Sequence, residues 1–284
     1  MTTTNAPIQP NNRATGPHSG QSSTLPPIRQ VSATRQWAVL TTAEVKLLGR
    51  NSVQVFYALI FPLMMPFLIL NLDSDGTLPA DLHDMFGSIT LTASIIIGCT
   101  LAAYYTPVSA LVNRREEAVL QRMRAGEARE GTILAAIMTP GSVLASLTSI
   151  MIFVIVKGLV GLHIGPHIWI SLVGMLVTIV VCLGFAMVTA NFTRTAESAQ
   201  ITTVPFVMIA IMGSMAIFIP KEFSQILYYI VNILPTAPAA ILLNQGTLAS
   251  PDWGEVAKAL GFGAGWIVAS IGFGWSRLRW AKRA

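Results

Sequence analysis

Apolar residues in this chain come in long, nearly unbroken runs, not at the spacing of a half-exposed helix or strand. Six runs reach the roughly 20 residues that a helix needs to cross a bilayer. They cover 52–72, 88–112, 132–156, 168–192, 199–219 and 256–275. In lipid a helix satisfies its own backbone, so the pattern predicts an all-α membrane protein with six transmembrane helices. Two shorter patterns flank them. In "TRQWAVLTTAEVKLLGR", Trp37, Ala38, Leu40, Val45, Leu47 and Leu48 fall on one half of a helical wheel, with Thr42, Lys46 and Arg50 opposite. This predicts an N-terminal interfacial amphipathic helix; Glu44 is the one residue that spoils its apolar half. After the fifth run, "FSQILYYIVNIL" is twelve residues long and followed by Pro235, which reads as a re-entrant or interfacial helix. Residues 1–30 are rich in Thr, Asn, Pro, Ser and Gly, and predict a disordered cytoplasmic tail ahead of one membrane domain at 31–284.

Charge fixes the expected orientation. Only 11% of the residues are charged, against about 25% in soluble domains. Lys and Arg number five before the first run, five between the second and third, one between the fourth and fifth, and four at the C-terminus. The other side carries only Lys157, Lys221 and Lys258. This excess predicts a multi-pass protein of the inner or plasma membrane with both termini cytoplasmic. Trp169 and Trp253 fit an outer aromatic belt, and Trp37, Trp275 and Trp280 an inner one; Trp266, inside the sixth run, fits neither. The basic residues form short islands without an aromatic-interleaved face, which argues against nucleic acid. The first apolar run begins near Ser52, so no ordinary cleavable signal peptide is expected.

Candidate chemistry is sparse. Gly-Lys never occurs, so a phosphate-cradling P-loop is excluded; G-x-S-x-G and H-E-x-x-H are also missing. Cys99 and Cys182 sit in apolar runs as small hydrophobes. His163 and His167 are separated by a helix-breaking Gly-Pro, and Asp73 and Asp75 make only a fragment of a calcium loop, so no metal or cofactor is expected on this chain. No Asp, Glu, Lys or Arg lies deep in any run, which argues against ion-coupled transport and against a membrane-embedded enzyme. Energy for any transport would come from outside the membrane domain. Hydroxyls and aromatics in runs two and five ordinarily pack within a helix bundle. As a cavity wall, the candidates are Thr100, Tyr104, Tyr105, Thr202, Thr203, Phe206 and Met212. Gly261 and Gly265 form a G-x-x-x-G for close packing, and Pro140 and Pro205 are expected to kink their helices.

One segment, "NRREEAVLQRMRAGEARE" at 113–130, holds nine of the chain's charged residues. Topology accounts for its arginines but not for Glu116, Glu117, Glu127 and Glu130. Val119, Leu120 and Met123 make a short apolar stripe, which predicts a short amphipathic coupling helix extending the second span and ending near Gly126. The segment, with "ANFTRTAESAQITTVPFVMIAIMGSMAIFIPKEF" and "ILPTAPAAILL", resembles the permeases of ATP-binding-cassette exporters of the type-2 membrane-domain family. Two departures stand out: Ala118-Val119 replace a usual Gly-Thr, and the charges often seen after the Pro-containing segment are missing. The resemblance implies a half-transporter that pairs with a second copy or a relative. It also implies a separate ATP-binding subunit, which carries ATP and Mg and docks on Arg115, Glu116, Glu117, Arg122 and Arg124. The expected function is export of small amphipathic, antibiotic-like compounds. Export of a lipid or polysaccharide, and a non-transporting membrane assembly protein, are the alternatives.

Overall fold

The computed structural model describes residues 32–72, 79–125, 129–219 and 224–278. The expected tail, the Asp73–Asp75 loop, Gly126, Glu127 and the last basic residues lie outside them. Every regular element among the described residues is helical. Five helices are long and apolar enough to cross a membrane, and two bent pairs raise the number to as many as seven.

The first bent pair is the surface helix and the start of span 1. Helix α1 (Ala33–Arg50) meets the next helix at 83°. Asn51 makes the corner, and its side-chain oxygen caps the new helix by accepting from the Gln54 N–H. Span 1 then runs through α2 (Ser52–Ile60), a 3-10 turn at Phe61–Leu63 and α3 (Met64–Leu72). Its break falls at Pro62, which cannot donate to the helical ladder.

Span 2 is the most buried. It comprises α4 (Ala80–Cys99), a π-helical stretch at Thr100–Tyr105 and α5 (Thr106–Glu116). Pro107 follows the wide turn directly. Its ring would clash with the carbonyl four residues back, and the extra residue per turn relieves that clash. The continuous part, Leu82–Glu116, is 35 residues, or about 52 Å at 1.5 Å per residue. A hydrocarbon core is about 30 Å thick, so the helix overshoots it. The sequence pattern ended this span at residue 112 and extended it with an amphipathic helix; instead α5 stops at Glu116 and a turn intervenes. A separate helix α6 (Val119–Ala125) follows.

Span 3 is α7 (Glu130–Ile155), span 4 is α8 (Ile168–Phe192) and span 5 is α9 (Ala196–Ser214). Pro140 and Pro205 lie inside continuous helices α7 and α9. Gly141, beside Pro140, faces span 2 at its wide turn. A Cβ there would sit 2.7 Å from the Ala102 carbonyl oxygen and 3.1 Å from the Pro107 ring.

The second bent pair is α10 (Gln225–Asn232) and α11 (Ala237–Gln245), which meet at 96°. Span 6 is α12 (Trp253–Ser276). Trp266, out of place as a belt residue, donates its indole N–H to the Ile233 carbonyl, 2.9 Å away, just past the end of α10. Trp266 is thirteen residues into α12, about 20 Å from its start. The turn between α10 and α11 therefore reaches back to mid-span, with Trp266 satisfying one of its orphan carbonyls.

Close approach at Gly141 makes a test. Gly141→Leu should overpack the contact between spans 2 and 3 and cost about 1–3 kcal/mol, seen as a fall in Tm of several degrees in detergent. Gly261→Ala should not lower Tm, since nothing lies within 4 Å of a Cβ at that position.

Candidate functional site

Three consecutive charged residues end span 2, and each reaches a different element. Successive side chains on a helix are 100° apart, so Arg114, Arg115 and Glu116 point in three directions. Arg114 places its Nε 2.7 Å from Glu44 Oε1 on the surface helix α1. Glu44, the residue that spoiled the apolar half of α1, is thus buried against the end of span 2. Its carboxyl is raised above the ordinary value of 4.5, because burial disfavours the carboxylate more than the Arg114 charge and hydrogen bond restore it. The pair fixes where α1 lies more than it stabilises the fold.

Arg115 is 3% exposed. Its guanidinium donates to the Ala190 carbonyl at 2.8 Å and to the Thr193 carbonyl, at the C-terminal end of α8. Those carbonyls have no partner within their own helix, and that end of the helix carries a partial negative charge. Glu116 does the converse at the next helix. Its Oε2 accepts from the backbone N–H of Ala196, the first residue of α9, at 3.1 Å. Thr195 and Ser198 complete that helix start with a reciprocal capping box. Adjacent residues of opposite charge thus hold the two opposed helix ends of the three-residue link 193–195.

The turn after α5 has its own signature. Ala118 is in the left-handed conformation, φ +55°, the only non-glycine with positive φ among the described residues. This is the position where the resembled segment has glycine, so the departure seen in the sequence carries a backbone cost. Arg122 closes the turn by donating Nη2 to the Glu117 carbonyl at 2.9 Å, and Arg124 pairs with Glu130 at 2.7 Å. Glu117, Arg122 and Arg124 are exposed. Of the five residues read as one docking set, then, Arg115 is buried and Glu116 is engaged with α9. The exposed surface of this segment is Glu117 and α6.

Beside this joint lies a groove of about 810 Å³ between α1–α2, α5 and the start of α9. Its lining is graded. Glu44, Asn113, Arg114, Glu117 and Gln200 sit toward the arginine-rich end; Tyr57, Phe61, Leu101 and Tyr105 line the part toward the span interior.

Tyr104, Thr203 and Phe206 of the proposed cavity wall come together, but packed against one another and not around the groove. Thr100, Tyr104, Thr203 and Phe206 are buried in the core of the chain. The Tyr104 hydroxyl lies 3.0 Å from Thr189 Oγ1 and 3.4 Å from the Thr203 carbonyl. Its ring packs on Phe206 at 4.3 Å, Phe206 on Phe185 at 4.5 Å, and Phe185 on Trp266 at 5.7 Å. This aromatic row ties spans 2, 5, 4 and 6 together. Thr202 bonds Thr193 at 2.7 Å, and Met212 is exposed on the face of span 5. Only Tyr105 of the seven lines the groove. Sequence reasoning missed Tyr57, Phe61 and Gln54 there, because all three lie in or beside the first span, which shows no polar cluster to draw attention. At the opposite end of the bundle, His163 lies 3.4 Å from Asp84, whereas His167 packs on Trp253 at 5.6 Å. The two histidines face different partners, and no metal-holding cluster occurs among the described residues.

The family model for ABC-2 type transporters matches residues 35–246, from α1 through α11. No curated protein matches the chain.

Three outcomes test this geometry. Ala118→Gly should stabilise the chain by about 1 kcal/mol by removing left-handed strain, read as a rise in Tm. For the ion pair, folding raises the Glu44 carboxyl, so the folded chain binds that proton more tightly than the unfolded one. Its contribution is therefore most favourable below pH 4.5 and is lost as pH rises through the raised value. Comparing Tm against pH for the wild type and Glu44→Gln should isolate that slope. At neutral pH the double variant Glu44→Leu/Arg114→Leu should be more stable than either single variant, each of which strands one buried partner.

Proposed function

We propose that this chain, which belongs to the ABC-2 type transporter family, is the permease subunit of an ATP-driven exporter of small amphipathic compounds, drug- or antibiotic-like in character. The arginine-rich end then faces the cytoplasm, with both termini on that side of the inner or plasma membrane. A separate ATP-binding subunit docks there on α6 and the exposed Glu117. A second copy, or a close relative, completes the transporter across the apolar faces of spans 1 and 5. Phe56, Tyr57, Ile201, Val204 and Met208 are exposed on those faces in the single chain.

The observation that carries this reading is the graded groove. Its polar end opens beside the joint where the stroke of a motor would arrive. Its aromatic end, with Tyr57, Phe61 and Tyr105, suits the flat apolar part of an amphiphile. Its amides Asn113 and Gln200 offer hydrogen bonds that do not commit to one chemical group, while Asn51 and Gln54 bond each other and Gln54 bonds Thr106. The missing ion-coupling residues in the spans agree with energy supplied by ATP on a partner.

The test is ATPase activity of the chain reconstituted in liposomes with its ATP-binding subunit, across a compound panel. Amphiphiles should stimulate hydrolysis, and Tyr105→Ala should raise the half-stimulating concentration about tenfold, equivalent to about 1.4 kcal/mol of lost contact. Stimulation by lipids or oligosaccharides alone would reassign the cargo. A chain that engages no ATPase subunit would instead fit a membrane assembly protein.

A further inference from the structure

The segment between spans 4 and 5 is only three residues long, and both its ends are held by side chains from another span. Arg115 sits on the last carbonyls of α8, and Glu116 on the first N–H of α9. Thr193, fully buried between them, also bonds Thr202 of α9 at 2.7 Å. The contacts are strong for their kind, since each joins a charged side chain to a helix end of opposite partial charge. The hold on the surface helix α1 differs in kind. There one ion pair, Arg114–Glu44, is formed against a desolvation cost. Helix α1 also rests on another element, because Trp37 donates its indole N–H to Thr139 of α7 at 3.2 Å. The groove lies between these two regimes: Ala196 and Gln200 of α9 form one side, Leu47 and Leu48 of α1 another.

We propose that Arg115 and Glu116 are positioning residues that make the α5–α6 turn, the end of α8 and the start of α9 one mechanical body. A push on the turn then reaches span 5 directly through Glu116, and the groove changes width against α1, not between α5 and α9. In this scheme the link 193–195 is not an independent contact for a motor; it is driven from the turn. The inference rests on the permease reading above and adds the path by which force reaches a wall of the groove.

The experiment uses the chain reconstituted with its ATP-binding subunit, in a background with Cys99 and Cys182 replaced by alanine. Spin labels are placed at exposed positions by Gln121→Cys with Glu197→Cys, and separately by Lys46→Cys with Glu197→Cys. Distances are measured without nucleotide and with ATP trapped. The first distance should stay the same in both states, whereas the second should shift. A Gln121–Glu197 distance that changes in the otherwise unaltered chain would overturn the inference. If neither distance changes while the complex hydrolyses ATP, the permease reading itself fails and takes the inference with it. A functional arm separates positioning from folding. Glu116→Gln keeps an acceptor oxygen and should retain most of the export per ATP hydrolysed. Glu116→Ala should lower that ratio at least fivefold and broaden the Gln121–Glu197 distance, with the ATP-binding subunit still bound. Full coupling in Glu116→Ala, at normal yield and Tm, would also overturn it.

Discussion

Arg115 sets the constraint on which the arginine-rich end of the bundle depends. A guanidinium cannot shed its charge, so it can be buried only where acceptors surround it. The end of a helix supplies such acceptors, because its last carbonyls have no partner within the helix. The C-terminal end of α8 therefore has to lie where Arg115 can reach it. Once α8 stops there, α9 must begin within three residues, and its own unpaired N–H groups need an acceptor nearby. Glu116, the next residue along, provides one. The Arg-Glu order is thus matched to the order in which the chain leaves one helix and enters the next.

The same logic explains why these residues occur at the membrane boundary. Span 2 overshoots the hydrocarbon core, which carries Arg114 to Glu116 beyond it without forcing charges into lipid. The bundle interior is then free to use weaker contacts. Its hydroxyls bond carbonyls of their own helices, as Thr100 does with Ile96 and Thr178 with Gly174. Its aromatic row from Tyr104 to Trp266 adds packing across four spans and ends by satisfying a carbonyl of the turn between α10 and α11. Two proline effects differ in outcome. Pro107 widens span 2 into a π-helical turn, whereas Pro140 and Pro205 are absorbed in continuous helices.

The membrane spans and the surface helix were legible in the sequence because hydropathy over twenty residues is a long, redundant signal. Glu44 was legible as an exception, and the exception had a cause: its partner Arg114 is seventy residues away, beyond the reach of any local pattern. Ala118 was legible in the same way, as a departure from a resembled motif whose backbone meaning only the φ angle reveals. The proposed cavity residues and the groove lie apart for a different reason. A hydroxyl or aromatic in a lipid-soluble helix can face a core, a groove or the bilayer, and periodicity is mute when all three are apolar. Tyr104 and Tyr105 are adjacent, yet one is sealed in the core and the other lines the groove. The lining residues Tyr57 and Phe61 of span 1 were missed because they look like ordinary lipid-facing aromatics.

The charge concentrated at 113–130 can now be divided by use. Arg114, Arg115 and Glu116 are consumed inside the chain, by α1, α8 and α9 in turn. Arg122 is drawn back onto the turn, and Arg124 onto Glu130 at the start of span 3. Most of the charge at this end is thus committed to contacts within the chain, while Glu117 stays exposed. The Arg124–Glu130 pair is exposed and contributes little to stability, but it and the Arg122 hydrogen bond link α6 to the turn before it and to the start of span 3. The density of charge in this one segment is thus largely a bracket within the chain, and Glu117 with the outer face of α6 is what the bracket leaves exposed.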